Sequence, residues 1–498
     1  MAEHLGLDPQ DKAPIPFDIA NPQYTQAYFE LLHHPHEADG VDFWWIDWQQ
    51  GSDSGLAGLD PLWWLNHLHF FDLGRSGQKR PFIFSRWGGL GNHRYPIGFS
   101  GDTHVTWESL AFQPYFTATA ANVNYGWWSH DIGGHMGGIE EAELFVRWVQ
   151  FGVFSPIFRL HCTNNAFHER RPWGYDKQTE AVTAEAMRLR HALIPYIYTM
   201  AWRNHAENRP LVQPMYHSHP AEEAAYHCPD QYWFGSELVA APFLAPAGES
   251  TRLSRQRAWL PEGDWFDFFN SERYPGGGRH ALYGRLQDIP VFAKAGAIVP
   301  LAVPDSWSGT DNPQAFTVHL FPGCDNEFLL YEDDGLSASC ITPIRQAWSA
   351  QEWQATVAAV EGVCDFLADK RLFELHFRGI VAETTVIATL DGDSVPLTAV
   401  YDQERATLKI SPPAKEADQT LVVHVSAGGG SLQLPGDYRL PACRRLVRAF
   451  RMDTSEKQRL DHDLPAIIEE PRLLAGYKPA LSAEQIKALA EVCGERRN

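Results

Sequence analysis

VDFWWIDWQQG, residues 41–51, is the stretch on which the reading of this chain turns. From Val41 to Trp48 every residue except Asp42 and Asp47 is bulky and largely apolar, and glycines at 40 and 51 bound the run. A short continuous apolar run of this kind fits a strand of a parallel sheet covered on both faces. Asp47 sits near its C-terminal end. Burying a carboxylate unpaired costs several kcal/mol, so an apolar strand does not end on one without a reason. Asp47 can cap a turn or helix. In a barrel of alternating strands and helices, it would instead stand on the face where chemistry is done.

Working outward, the same arrangement recurs. PQYTQAYFELLHH (22–34) reads as a helix leading into the Asp47 strand, and PLWWLNHLHFFDLG (61–74) as a helix opened by Pro and closed by Gly. PFIFSR (81–86) is a second short strand, ending on Arg86, and a glycine-rich loop from Trp87 to Thr103 carries Arg94 and Asp102. Trp107 to Ala121 is helix-like; VNYGWWSHD (123–131) is a third strand, ending on Asp131. Glu140 to Gly152 has helical spacing, SPIFRLH (155–161) is a fourth strand ending on His161, Thr179 to His205 is one long helix, and PLVQPMY (210–216) is a fifth strand. Asp131 alone can be a helix N-cap, and His161 alone a core histidine. Charged or polar residues at four successive strand ends are what the upper face of a barrel gives.

From about residue 236 helical periodicity gives way to short apolar runs between Gly/Pro turns: LVAAPFLAP, RAWLPEGDWFDFF, IPVFAKAGAIVPL, FTVHLFPG and FLLYEDDG. LFELHFRG, TTVIATLDG and QTLVVHVSAG continue the pattern to about residue 426, Gly428–Gly430 forms a linker, and the last ~65 residues are charged and helical. The expected fold is therefore multidomain: a partial (β/α)8 TIM barrel of about five of eight units over 1–235, two all-β sandwich-like domains over 236–315 and 316–427, and a linker and helical tail over 428–498.

Composition narrows the function. A net charge of −21 argues against nucleic acid or an anionic membrane as partner. No apolar run reaches the ~18 residues of a transmembrane helix. Seven scattered cysteines without a CxxC favour a reducing, cytoplasmic compartment, and the N-terminus reads as neither signal nor transit peptide. With 18 Trp, 17 Tyr and 28 Phe, many among polar residues of the first 240 positions, the chain suits aromatic clefts that stack on sugars. Neither HExxH nor a phosphate-cradling glycine loop occurs, so no metal and no cofactor are expected.

These residues resemble glycoside hydrolase family 31, which contains retaining α-glucosidases, α-xylosidases and α-galactosidases, over roughly residues 25 to 340. WWIDWQQ is similar to the family's nucleophile strand, W-I-D-M-N-E, which implies that role for Asp47 with Trp45 and Trp48 beside the substrate. FSR is similar to the strand whose Arg, here Arg86, binds the sugar. RYPIGFSGD (94–102) resembles the W-x-G-D loop with the general acid/base, which implies that role for Asp102 and puts Phe99 where the motif has Trp. HDIGG (130–134) resembles D-I-x-G-F, whose Asp, here Asp131, binds the sugar, and FRLH (158–161) resembles R-x-H, whose His, here His161, does so. The chemistry agrees: retention needs two carboxyls about 5–5.5 Å apart, one ionised and one carrying a proton. Asp47, near Arg86, is suited to the first role, and Asp102, beside Phe99, to the second.

The implied activity is cleavage of non-reducing terminal α-glycosides with retention. The partner is an oligosaccharide or α-glycoside, with glucose as the first expectation. α-Galactosides, α-xylosides, N-acetylated α-galactosaminides and an inactive carbohydrate-binding fragment are the alternatives. Trp48-Gln49-Gln50 in place of Met-Asn-Glu and His135 in place of Phe put the glucose preference in question. The family's nucleophile strand is its fourth, so the first three units and the N-terminal sandwich are missing. The chain then reads as a fragment, as a partner of a second chain that completes the barrel, or as a poor folder.

Overall fold

The structure, a computed structural model, describes residues 1–47, 50–304 and 309–494. Helices α1 (Pro22–Tyr28) and α2 (His34–Ala38) flank a π-helical turn, Phe29–His33, and lead to the first strand. Strands β1 (Trp45–Ile46), β2 (Ile83–Arg86), β3 (Pro96–Phe99) and β4 (Trp128–Ser129) then lie side by side in chain order, all parallel. Parallel bridges Ser129–Ile157 and Ile132–Leu160 add a fifth position. Ile83, Phe84 and Ser85 are buried in succession rather than alternately, as a sheet covered on both faces requires. The covering helices are α3 (Pro61–Leu73), capped by Asp60, α4 (Trp107–Ala120), capped by Thr106, and α5 (Ala142–Val153).

Three sequence expectations change. Residues 96–99 are a strand, not part of a loop; Pro is tolerated at the first position of a strand. The expected fifth strand at 210–216 is not in the parallel sheet: Val212–Gln213 pairs antiparallel with Tyr232–Phe234 in a separate six-stranded sheet. Pro210 and Pro214 confine it to two residues, and its apolar side chain is buried by that hairpin. The long helix 179–205 is two, α6 (Lys177–Ala192) and α7 (Ile194–Glu207): Pro195, which inside a helix would remove a hydrogen bond and clash with the preceding turn, stands in the first turn of α7.

Beyond the barrel the chain is β. The six-stranded sheet spans Val212 to Lys294, with the hairpin Ser254–Leu260/Gly278–Gly284 beside it. Ile298–Ala302 and Ala315–Leu320 open a five-stranded sheet, and Asn326–Asp333 opens a seven-stranded one. Buried residues alternate with more exposed ones along their strands, and the inner faces meet around Trp353 and Phe377, whose rings lie edge to face at 5.0 Å. One apolar core runs from Trp148 and Phe151 of α5 through Tyr232 and Phe234 to Phe316 and Trp353. Arg147, buried on α5, donates to the carbonyls of Arg285, Leu286 and Asp288 at 3.1–3.2 Å and to Ser254 Oγ at 2.8 Å.

The tail forms α8 (Arg439–Ala449), α9 (Thr454–Glu469) and α10 (Ala483–Gly494) and packs on the β hairpin. Tyr438 stacks on Tyr274 at 3.9 Å, and its hydroxyl lies 3.0 Å from Nδ1 of buried His280. Burial pushes the His280 imidazole down to about 4. In the unfolded chain it protonates near 6.5. Its contribution to stability is therefore complete above about pH 6.5 and is lost as pH falls toward 4. Between about pH 7 and pH 5 the urea midpoint of the wild type should drop more than that of His280→Gln; equal drops would contradict this assignment.

Candidate active site

Parallel register brings the strand ends together. Trp45 pairs with Phe84, Arg86 with Phe99, and Phe99 with Ser129, so the residues after β1, β3 and β4 emerge on one side with Arg86. Asp47 follows β1, Asp102 lies in the loop after β3, Asp131 follows β4 and His161 follows the fifth position.

One side chain ties the first two carboxylates together. Arg86 donates through Nε to Asp47 Oδ1 at 2.5 Å and through Nη2 to Asp102 Oδ1 at 3.0 Å. The Arg86 side chain is 13% exposed, against 32% for Asp47 and 39% for Asp102. Gly101 makes room for the guanidinium: at φ +74° a Cβ would lie 1.9 Å from Arg86 Nη1. The loop carrying Asp102 is fastened to the next one, with His135 N donating to Thr103 O at 2.7 Å and Val105 N to Met136 O at 3.2 Å. Gly138 permits that approach, since a Cβ there would meet Val105 O at 2.0 Å.

A second charged pair lies beneath. Arg159 donates to Asp131 Oδ1 and, through Nε, to Ser129 Oγ at 3.2 Å. Burial pushes the Asp131 carboxyl up, and the Arg159 charge opposes this. The Arg159 guanidinium sits over the rings of Trp45 and Phe84 at 5.1 Å and of Phe99 at 5.7 Å. His161 stands edge-on to Trp45 at 5.1 Å. Burial, then the Arg159 charge, push its imidazole down to about 4, which keeps it neutral near pH 7. A neutral imidazole both donates and accepts, as binding a sugar hydroxyl demands.

The structure thus gathers Asp47, Arg86, Asp102, Asp131, His161 and Trp45, whose ring is 45% exposed. Trp48 lies outside the described residues. Phe99 is a correction: at 3% exposure, under the Arg86 guanidinium at 5.3 Å, it is the floor of the site rather than a surface for substrate. Asp102 also departs from expectation, since its neighbour is a guanidinium as well as an aromatic-rich loop. Two members were missed. Arg159 stands inside the FRLH motif, and its place two residues before His161 on a strand was the available signal. His135 was visible only as a departure from a family Phe.

Among the described residues Asp131, His135 and His161 are the group that could hold a metal ion, with ligand atoms within 4.8 Å of one another. The donor types suit a transition metal. The Arg159 charge on Asp131 works against a cation there, whereas a neutral, hydroxyl-bearing ligand meets no such penalty.

The family model described as glycosyl hydrolases family 31 TIM-barrel domain matches residues 6–200, and the family 31 C-terminal domain matches residues 208–299. Alpha-glucosidase 2 of Bacillus thermoamyloliquefaciens is 30% identical over 264 residues, covering 52% of this chain and 32% of that protein. The alpha-xylosidase of Saccharolobus solfataricus is 28% identical over 375 residues, covering 68% of this chain and 48% of its own. The chain thus spans a third to a half of the length of these relatives. In fold it resembles the family 31 dextranase of Flavobacterium johnsoniae complexed with glucose, with a TM-score of 0.72 at 23% identity over 82% of this chain and 56% of that one. With the family's barrel and C-terminal domain models matching one after the other along the sequence, this chain is a member of glycoside hydrolase family 31.

Proposed function

We propose that this chain carries the catalytic centre of a retaining α-glycosidase acting on non-reducing terminal α-glycosidic bonds, with α-glucosides as its first substrate class. The observation that carries the reading is the pair of strand-end aspartates, Asp47 and Asp102, held by one guanidinium. Relatives named alpha-glucosidase and alpha-xylosidase support the α-glycoside class.

In this mechanism Asp47, oriented by Arg86 Nε, attacks the anomeric carbon. Asp102 gives its proton to the leaving oxygen as the glycosidic bond breaks, and the sugar becomes an ester of Asp47. Asp102, now a carboxylate, takes a proton from water, whose oxygen attacks the anomeric carbon and frees Asp47. His161 donates to and accepts from sugar hydroxyls, buried Asp131 anchors Arg159 beneath them, and exposed Trp45 offers a face for the sugar's C–H groups. Binding of hydroxyls at Arg86 competes with its hold on the two aspartates. A guanidinium partner favours a carboxylate over a carboxyl, so proton donation requires Asp102 to leave Arg86.

The test is the initial rate on aryl α-glucoside, α-galactoside, α-xyloside and α-N-acetylgalactosaminide. One sugar should turn over, and Asp47→Ala, prepared identically, should lose at least about 10³-fold. Folded wild-type protein that cleaves none of them overturns the reading. Gly101→Ala should cost about 10²-fold in kcat/KM, because the new methyl displaces Arg86. An unchanged kcat/KM for that variant would mean that Arg86 does not set the geometry.

A further inference from the structure

His135 stands between two carboxylates of the site. Its Nδ1 lies 3.2 Å from Asp131 Oδ2 and its Nε2 3.7 Å from Asp102 Oδ1. Its side chain is 14% exposed, and Nδ1 is buried without a well-aligned hydrogen bond. The backbone on both sides is fixed: His135 N donates to Thr103 O, beside Asp102, at 2.7 Å, and Thr163 N donates to His135 O at 2.9 Å. His161 packs against the ring at 5.0 Å. The imidazole therefore has little freedom, and the mobile partner is the more exposed Asp102, 39% accessible and held by Arg86 at 3.0 Å.

We infer that His135 is a positioning residue that receives the Asp102 carboxyl when sugar displaces it from Arg86, and so holds the general acid in its proton-bearing form. This rests on Asp102 as the acid/base of the proposed glycosidase. The proton logic follows from the two distances. Asp131 turns an oxygen not taken by Arg159 toward Nδ1 at 3.2 Å, and a carboxylate oxygen there matches the tautomer with its hydrogen on Nδ1. That tautomer leaves Nε2, 3.7 Å from Asp102 Oδ1, as an acceptor. An acceptor there is matched by a protonated carboxyl, which donates its O–H, and not by a carboxylate. Once the proton has gone to the leaving oxygen, the Asp102 carboxylate faces a lone pair on one side and Arg86 on the other, and Arg86 is the better partner. Asp102 thus alternates between an acceptor that suits its acid form and a guanidinium that suits its base form.

A group that supports acid catalysis matters in proportion to how much the leaving group needs a proton. For the sugar that the wild type hydrolyses, kcat/KM should be compared on the 2,4-dinitrophenyl and methyl α-glycosides, in wild type, His135→Phe, His135→Gln and Asp102→Ala. His135→Phe should lose about tenfold or more on the methyl glycoside and less than about threefold on the dinitrophenyl one, a fraction of the general-acid contribution. His135→Gln, which keeps an acceptor, should recover part of the difference. Asp102→Ala should show the same pattern more strongly. Equal losses on both substrates would make His135 a structural or sugar-binding residue and overturn the inference, as would no loss on either. Asp47→Ala in the same assay separates the two levels: a wild type that is inert, or an Asp47→Ala that still turns over, overturns the glycosidase reading and this inference with it. A dead Asp47→Ala beside a leaving-group-independent His135→Phe overturns this inference alone.

Discussion

The contact on which the site depends is that of one guanidinium with two carboxylates. Arg86 reaches Asp47 through Nε and Asp102 through Nη2, and its fork geometry fixes where both can stand. Asp47 stands one position past the two-residue β1. Asp102 hangs on a loop, and what holds that loop is the glycine-rich turn beside it, where Gly138 lets the backbone come within reach of Val105. The strand-end aspartate and the loop-borne one thus stand on different local supports joined at Arg86.

Beneath that contact the site solves a second problem, the burial of positive charge. Arg159 and Arg86 both lie over aromatic faces, and Phe99 serves both. The ring replaces lost water with a favourable quadrupole, and Asp131 supplies the countercharge for Arg159. This explains why the strand ends are aromatic and charged at once. It also explains why Phe99, which the sequence pattern places next to substrate, faces inward: its position in β3 pairs it with Arg86.

The sequence makes the barrel's chemistry more legible than its boundaries. Asp47, Arg86, Asp102, Asp131 and His161 are all readable because each ends an apolar run or stands in a motif with fixed order, and the structure brings all five together. The Val212–Gln213 strand was misassigned because periodicity tells that a short apolar run is a strand but not which sheet it joins. The 96–99 strand was hidden by the surrounding glycines and by Pro96 at its start. Arg159 was overlooked because an arginine on a strand reads as an ordinary exposed charge until the rings of Trp45, Phe84 and Phe99 are seen to surround it.

Arg147 bears on how this chain can be taken apart. Its charge is buried on a barrel helix, its nearest carboxylate, Glu143, stands 3.9 Å away, and most of its hydrogen bonds go to the β layer. Cutting the chain after the barrel would leave that guanidinium facing a void and expose Phe151, Tyr232 and Phe234 to water. The polypeptide reads as modules along its length, yet its barrel and first β layer share one cooperative fate, and an experimenter who excises the barrel would recover an aggregate rather than a smaller folded domain.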